Sequence, residues 1–227
     1  MNNIKTVTNI TKEMEEQFEL YYEILAEESQ KYNLTSITSK EDVYLKHFYD
    51  SILLVKQIDI TNKTIVDVGS GAGFPGIPLK IVSPTTKITL VEPTTKRANF
   101  LKMGIDKLGL KDIEVINDRA ENIISNHREK YDFATARAVA PLNILLELLT
   151  PFVKVNGNII ALKGSSYQEE LDICNKAFKE LDIKVNYIYQ EELPNNQGLR
   201  PIIIINKTKK TNPKYPRAYA QIKKKPL

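Results

Sequence analysis

Tryptophan is absent from the 227 residues, histidine occurs twice and cysteine once. The lone Cys174 excludes a disulfide framework and a cysteine-ligated metal site. His47 and His127 are too few to build a metal site in its place. Apolar runs are short, such as Ile202 to Ile205, against the ~20 residues a membrane span needs. The opening Met1-Asn2-Asn3-Ile4-Lys5 has neither an apolar core nor a cleavage pattern. A cytoplasmic protein without membrane attachment is therefore expected. No Asp or Glu occurs between Lys207 and Leu227, where eight basic residues fall. The preceding 206 residues hold 24 basic and all 28 acidic residues, so the body carries −4 and the tail +8.

What is present suffices for an ordinary core. The chain is 42% apolar and 26% charged, and at this length folding buries about 70% of the unfolded surface without staples. Thr11 caps an expected helix with Met14, Phe18, Tyr22 and Leu25 on one face. Ser39-Lys40-Glu41-Asp42 resembles a capping box and opens a second, with Tyr44, Phe48, Ile52 and Val55 aligned. These helices make residues 1–60 an N-terminal extension. Strands are then expected at Thr64–Val68, Lys87–Glu92, Ile113–Asn117, Tyr131–Ala136 and Gly157–Lys163, alternating with helices after Gly76, over Thr94–Leu108 and over Pro141–Leu149. That alternation indicates right-handed βαβ units. Val185–Tyr189 and Arg200–Ile205 follow with no helix between them, as an antiparallel pair does. The expected fold is α/β and Rossmann-like: a mostly parallel seven-stranded sheet ending in an antiparallel hairpin, the strand pattern of class I methyltransferases. Residues 61–206 form its core and 207–227 a basic tail, all in one compact domain. Pro213, Pro216 and Pro226 argue against a helix in that tail.

The sharpest local signal is Asp67-Val68-Gly69-Ser70-Gly71-Ala72-Gly73-Phe74-Pro75-Gly76. A strand runs into a turn where the backbone must approach a ligand closely. Gly71-x-Gly73-x-x-Gly76 satisfies a dinucleotide fingerprint, and a NAD-linked oxidoreductase is one reading. Asp67-x-Gly69-x-Gly71-x-Gly73 is instead the acidic arrangement of S-adenosylmethionine (SAM) enzymes. A carboxylate two residues before the first glycine suits a sulfonium-bearing zwitterion and repels a pyrophosphate. Glu92, ending the next strand, is placed to accept two ribose hydroxyls, which both cofactors carry. Asp118-Arg119-Ala120-Glu121 follows the third strand, where an adenine-facing loop is expected.

After the fourth strand the chain reads Arg137-Ala138-Val139-Ala140-Pro141. Neither the Asn/Asp-Pro-Pro-aromatic motif of amino-group methylation nor a Pro-Cys nucleophile is there, which removes two nucleic-acid methylation chemistries. Arg137 at a strand end needs a partner or a cleft. Cys174 lies in a helical stretch and reads as a packed small hydrophobe. His47 precedes Asp50-Ser51 by one helical turn, within reach of either. In the tail, Tyr215 and Tyr219 lie among the basic residues. Charge with aromatic faces grips RNA, and an inert solvated tail is the alternative.

Together these residues resemble the bacterial 16S ribosomal RNA guanine-N7 methyltransferase family known as RsmG or GidB. The resemblance runs from about Glu23 to Leu227. Its specific parts are Asn33-Leu34-Thr35, His47-Phe48-x-Asp50-Ser51, the glycine turn continued by Ile77-Pro78, Lys96-Arg97-x-x-Phe100-Leu101, Arg137-Ala138, Lys163-Gly164 and Tyr215-Pro216-Arg217. Glu28-Ser29 stand where the family usually has Trp-Asn, and Ala220 and Ile222 where its tail tends to carry Gly and Pro. The resemblance implies SAM as cofactor, held by Gly69, Phe74, Ala120, Glu121 and Arg137, beside Asp67, Gly71, Gly73 and Glu92 read from the turn itself. It implies methylation in the decoding-region loop of 16S rRNA, free or in the small subunit. Nothing in the sequence suggests an obligate protein partner, so a monomer is expected. RNA contacts are expected from His47, Lys163, Tyr215, Arg217, Lys223, Lys224 and Lys225. No general base is expected, with Asp67 and Arg137 only positioning. A non-catalytic RNA-binding assembly factor is the remaining alternative.

Overall fold

The apolar runs of the sequence are the strands of the computed structural model, which describes residues 1–227. They are β1 (Thr64–Val68), β2 (Lys87–Val91), β3 (Ile113–Ile116), β4 (Tyr131–Arg137), β5 (Val153–Leu162), β6 (Ile183–Glu192) and β7 (Leu199–Lys207). The seven-stranded sheet has the order β3-β2-β1-β4-β5-β7-β6. β2–β3, β1–β4 and β4–β5 pair in parallel. β7 runs antiparallel to both β5 and β6, so the last strand lies inside the hairpin it closes. Its run of isoleucines explains this position: Ile202 to Ile205 are all buried, as an interior strand requires. No helix is long and apolar enough to cross a membrane.

The chain divides into two compact units, Met1–Lys63 with Gly69–Asn117, and Thr64–Val68 with Asp118–Leu227. In the first unit, Thr11 Oγ1 accepts from Met14 N at the start of the helix Lys12–Tyr32. That helix buries Phe18, Tyr21, Ile24 and Leu25, while the expected Tyr22 is only half-buried. Ser39 caps the next helical segment by accepting from Asp42 N. The expected regular helix then becomes a π-helix over Val43–Tyr49. A wider turn changes which side chains share a face, and six of the seven residues, His47 and Phe48 included, are buried.

The second unit has its core between β4, β5, β7 and the helix Leu142–Leu149, whose residues are buried almost throughout. The basic segment after β7 belongs to this unit; it is irregular over 208–218, and against the expectation from its prolines Tyr219–Lys224 is helical. The prolines permit it because Pro213 and Pro216 precede the helix and Pro226 follows it.

Candidate cofactor site

In the first unit the glycine turn begins directly after β1. Gly69, Gly71 and Gly73 all have positive φ, 72°, 58° and 93°. Gly69 and Ser70 donate to the Val91 carbonyl at 2.8 and 3.2 Å, which ties the turn to the end of β2. Glu92, 2% exposed, completes the tie through its side chain. One carboxylate oxygen accepts Gly71 N–H at 2.9 Å and the other Thr94 N–H at 2.8 Å. Each oxygen keeps acceptor capacity beyond that single bond, which fits a pair of ligand hydroxyls.

An aromatic cluster from the N-terminal helices grips the same turn. Tyr21 donates its hydroxyl to the Ala72 carbonyl. A Cβ on Gly73 would lie 2.5 Å from that hydroxyl and 2.6 Å from Ile77 Cδ1, so both space and φ demand glycine there. Phe74 is buried among His47, Phe48 and Tyr21, with ring centroids 4.5, 6.1 and 5.7 Å away. His47 Nε2 lies 2.8 Å from Thr35 Oγ1, and Ser51 Oγ donates to the His47 carbonyl. The imidazole is thus 9% exposed and packed inside the unit, where the sequence had placed an RNA contact. Tyr21 was not singled out in the sequence, although its spacing of three and four from Phe18 and Leu25 marks one buried helix face.

In the second unit Asp67 is fully buried on β1, its Cα opposite Thr135 of β4. Ala120 is buried and Glu121 half-buried at the start of the helix Ala120–His127. Arg137 ends β4, half-buried, and Ala138 turns the chain with a positive φ of 55°. The loop it opens is fixed from β5. Lys163 Nζ lies 2.6 Å from Glu170 Oε2 and 3.3 Å from the Ala140 carbonyl. The same Glu170 oxygen accepts Leu142 N–H at 2.6 Å, closing the start of the helix Leu142–Leu149. Lys163 is only 10% exposed, so its charge serves this loop. Cys174 is buried with Sγ donating to the Glu170 carbonyl, and burial pushes its thiol up to about 12.

A family model described as GidB, rRNA small subunit methyltransferase G, matches residues 14–197. The chain belongs to this family. The Ribosomal RNA small subunit methyltransferase G of Mycoplasma capricolum is 48% identical over 223 residues, covering 98% of this chain and 95% of the relative. That of Ligilactobacillus salivarius is 47% identical over 225 residues, covering 96% and 93%. Among solved structures, a SAM dependent methyltransferase from Aquifex aeolicus shares the fold with a TM-score of 0.58 and 19% identity, over 76% of this chain and 96% of that one. M. jannaschii TYW2 in complex with AdoMet gives 0.52 and 16%, over 65% and 69%.

The basic C-terminal segment is a packed strap. Lys207, counted with the tail from sequence, ends β7 with no exposure and lies 2.8 Å from Glu129 Oε1. Burial pushes Glu129's carboxyl up, but Lys207 and the Thr211 N–H outweigh it and hold it below the usual value. Tyr215, expected to face RNA, is 3% exposed and donates to Glu180 Oε2 at 2.8 Å. Arg217 is likewise engaged: Nε and Nη2 reach the two oxygens of fully buried Glu147 at 2.8 and 2.6 Å. Arg217 N–H donates to that carboxylate too, at 2.9 Å. Glu147 carried a signal that went unread, a lone acid inside Leu142-Asn143-Ile144-Leu145-Leu146-Glu147-Leu148-Leu149, which requires a buried cation nearby. Lys223, Lys224 and Lys225 are exposed.

Proposed function

We propose that this chain transfers the methyl group of SAM to N7 of a guanosine in the decoding-region loop of 16S ribosomal RNA. The carrying observation is membership of the rRNA small subunit methyltransferase G family over residues 14–197, with the glycine turn of that span intact and held by Glu92. In this reading Glu92 accepts the ribose hydroxyls, and Gly69, Gly71 and Gly73 let the backbone approach the cofactor. Phe74 offers a ring face, while Ala120 and Glu121 take the adenine end. Asp67 and Arg137 position the methionine end and the base. The dinucleotide reading of Gly71-x-Gly73-x-x-Gly76 loses its ground, since the match to the methyltransferase family covers that segment.

When bound, SAM supplies an electrophilic methyl group on a positively charged sulfur. Guanine N7 presents an in-plane lone pair, so no side chain has to remove a proton. The work left to the chain is alignment and exclusion of water, which together account for up to about 7–11 kcal/mol in favourable cases. The pinned loop after β4 suits that task, because Lys163 and Glu170 hold it without a catalytic acid or base.

The test is methyl transfer in vitro with labelled SAM and small-subunit RNA, followed by nucleoside digestion. Label in 7-methylguanosine supports the proposal, label in another nucleoside overturns the N7 assignment, and no label overturns the activity.

A further inference from the structure

The strap ends in a helix, Tyr219–Lys224, whose two sides differ. Ile222 is fully buried with Ile144 and Leu148, and Tyr219 packs on the same cluster together with Ala140. Ala140 lies in the loop that Lys163 pins after β4. Ala220, Gln221, Lys223 and Lys224 face outward, and Lys225 continues the exposed side. The Arg217–Glu147 contact just before the helix fixes it in place.

Arg119 sets its guanidinium over the Tyr219 ring, with Cζ 5.9 Å from the centroid. Its side chain is 58% exposed, and its acidic neighbour Glu121 stands at 3.9 Å, the long limit of an ion pair. The next residue, Ala120, starts the helix Ala120–His127. A planar guanidinium backed by an aromatic ring and open to solvent is a surface on which a nucleobase stacks. Exposed lysines on the adjoining helix supply the charge that a phosphate backbone needs. Arg119 and Tyr219 share no pattern in the sequence, and only the docked strap brings them together.

We infer that Arg119 and Tyr219 form a stacking platform for an unpaired nucleobase of the RNA substrate, with Lys223 and Lys224 taking adjacent phosphates. The inference rests on the reading of the chain as an rRNA methyltransferase. The partner is RNA with accessible bases, and a base-free polyanion engages the lysines alone.

The experiment measures binding of a labelled single-stranded RNA oligonucleotide by the full chain over a series of salt concentrations, with polyphosphate as the base-free control. Tyr219→Leu keeps the packing on Ile144 and Leu148 but removes the aromatic face. Arg119→Lys keeps the charge but removes the plane. Each is expected to weaken RNA binding about tenfold, leaving the salt slope, the polyphosphate affinity and the SAM affinity unchanged. Tyr219→Phe should bind RNA like the wild type. Lys223→Gln with Lys224→Gln should weaken RNA and polyphosphate together and reduce the slope by about 0.7 per lysine. Wild-type RNA affinity in either Tyr219→Leu or Arg119→Lys would overturn the platform, and so would an equal loss of polyphosphate binding. Methyl transfer by the wild type, run in parallel, tests the underlying reading separately, because binding does not depend on turnover.

Discussion

The imidazole of His47 lies against the ring of Phe74, centroids 4.5 Å apart and planes 20° from parallel, while its Nε2 meets Thr35 Oγ1 at 2.8 Å. With the Tyr21 hydroxyl on the Ala72 carbonyl, the N-terminal helices become part of the glycine turn's support. Both His47 and Phe48 lie buried in the π-helical stretch Val43–Tyr49.

Loss of this support should appear in cofactor affinity. His47→Ala removes a stacked ring and a hydrogen bond, and Tyr21→Phe removes the hydroxyl on the turn. Each variant should bind SAM about tenfold more weakly, equivalent to about 1.4 kcal/mol. Calorimetric titration of the folded variants checks this, and wild-type affinity in both would detach the N-terminal helices from the turn.

Glu92→Gln should fail in two ways at once. Both carboxylate oxygens accept backbone N–H groups, so an amide must set its NH2 against one of those donors. A loss of about 1.5–3 kcal/mol is expected in stability without cofactor, with SAM affinity reduced besides. An unchanged melting temperature would show that the carboxylate is not needed to hold Gly71.

The strap carries its own stability test. Arg217→Met leaves the wholly buried Glu147 carboxylate without its cation, which should cost about 3–5 kcal/mol. Adding Glu147→Leu to Arg217→Met should recover most of it, since two apolar groups need no partner. Denaturant unfolding of the single and double variants measures the difference.

Much of the sheet was legible because β-strands announce themselves locally, through short apolar runs such as Ile65–Val68 and Ile202–Ile205. Glu92 was singled out as a ribose acceptor, and its hold on Gly71 N–H and Thr94 N–H was not foreseen, because the strand end and the glycine turn lie 21 residues apart in the chain. What escaped depends on partners far along the chain. Nothing near Tyr215 or Arg217 reveals Glu180 or Glu147, so a docked strap reads as a free tail. His47 read as an RNA contact because its partners Thr35 and Phe74 lie 12 and 27 residues away along the chain.

Acid should weaken the second unit in a defined direction. Burial pushes the carboxyls of Glu129 and Asp132 up. Lys207 and Thr211 N–H on Glu129, and Thr64 with Lys154 on Asp132, outweigh that and hold both below their ordinary values. Carboxyls lowered in the folded state stabilise it fully above their unfolded values, the higher of which is 4.5, and that stability is lost as pH falls through the lowered ones. Melting temperature should therefore fall as the pH drops below about 4.5, and Asp132→Asn should show a shallower fall than the wild type. Parallel curves would remove Asp132 from the acid response.

The most direct measurement is nucleoside analysis of small-subunit ribosomal RNA from cells with and without this protein. The account predicts that 7-methylguanosine at one position of 16S rRNA disappears in its absence and returns when the wild-type chain is restored. An unchanged 7-methylguanosine content, or loss of a different modified nucleoside instead, would contradict it.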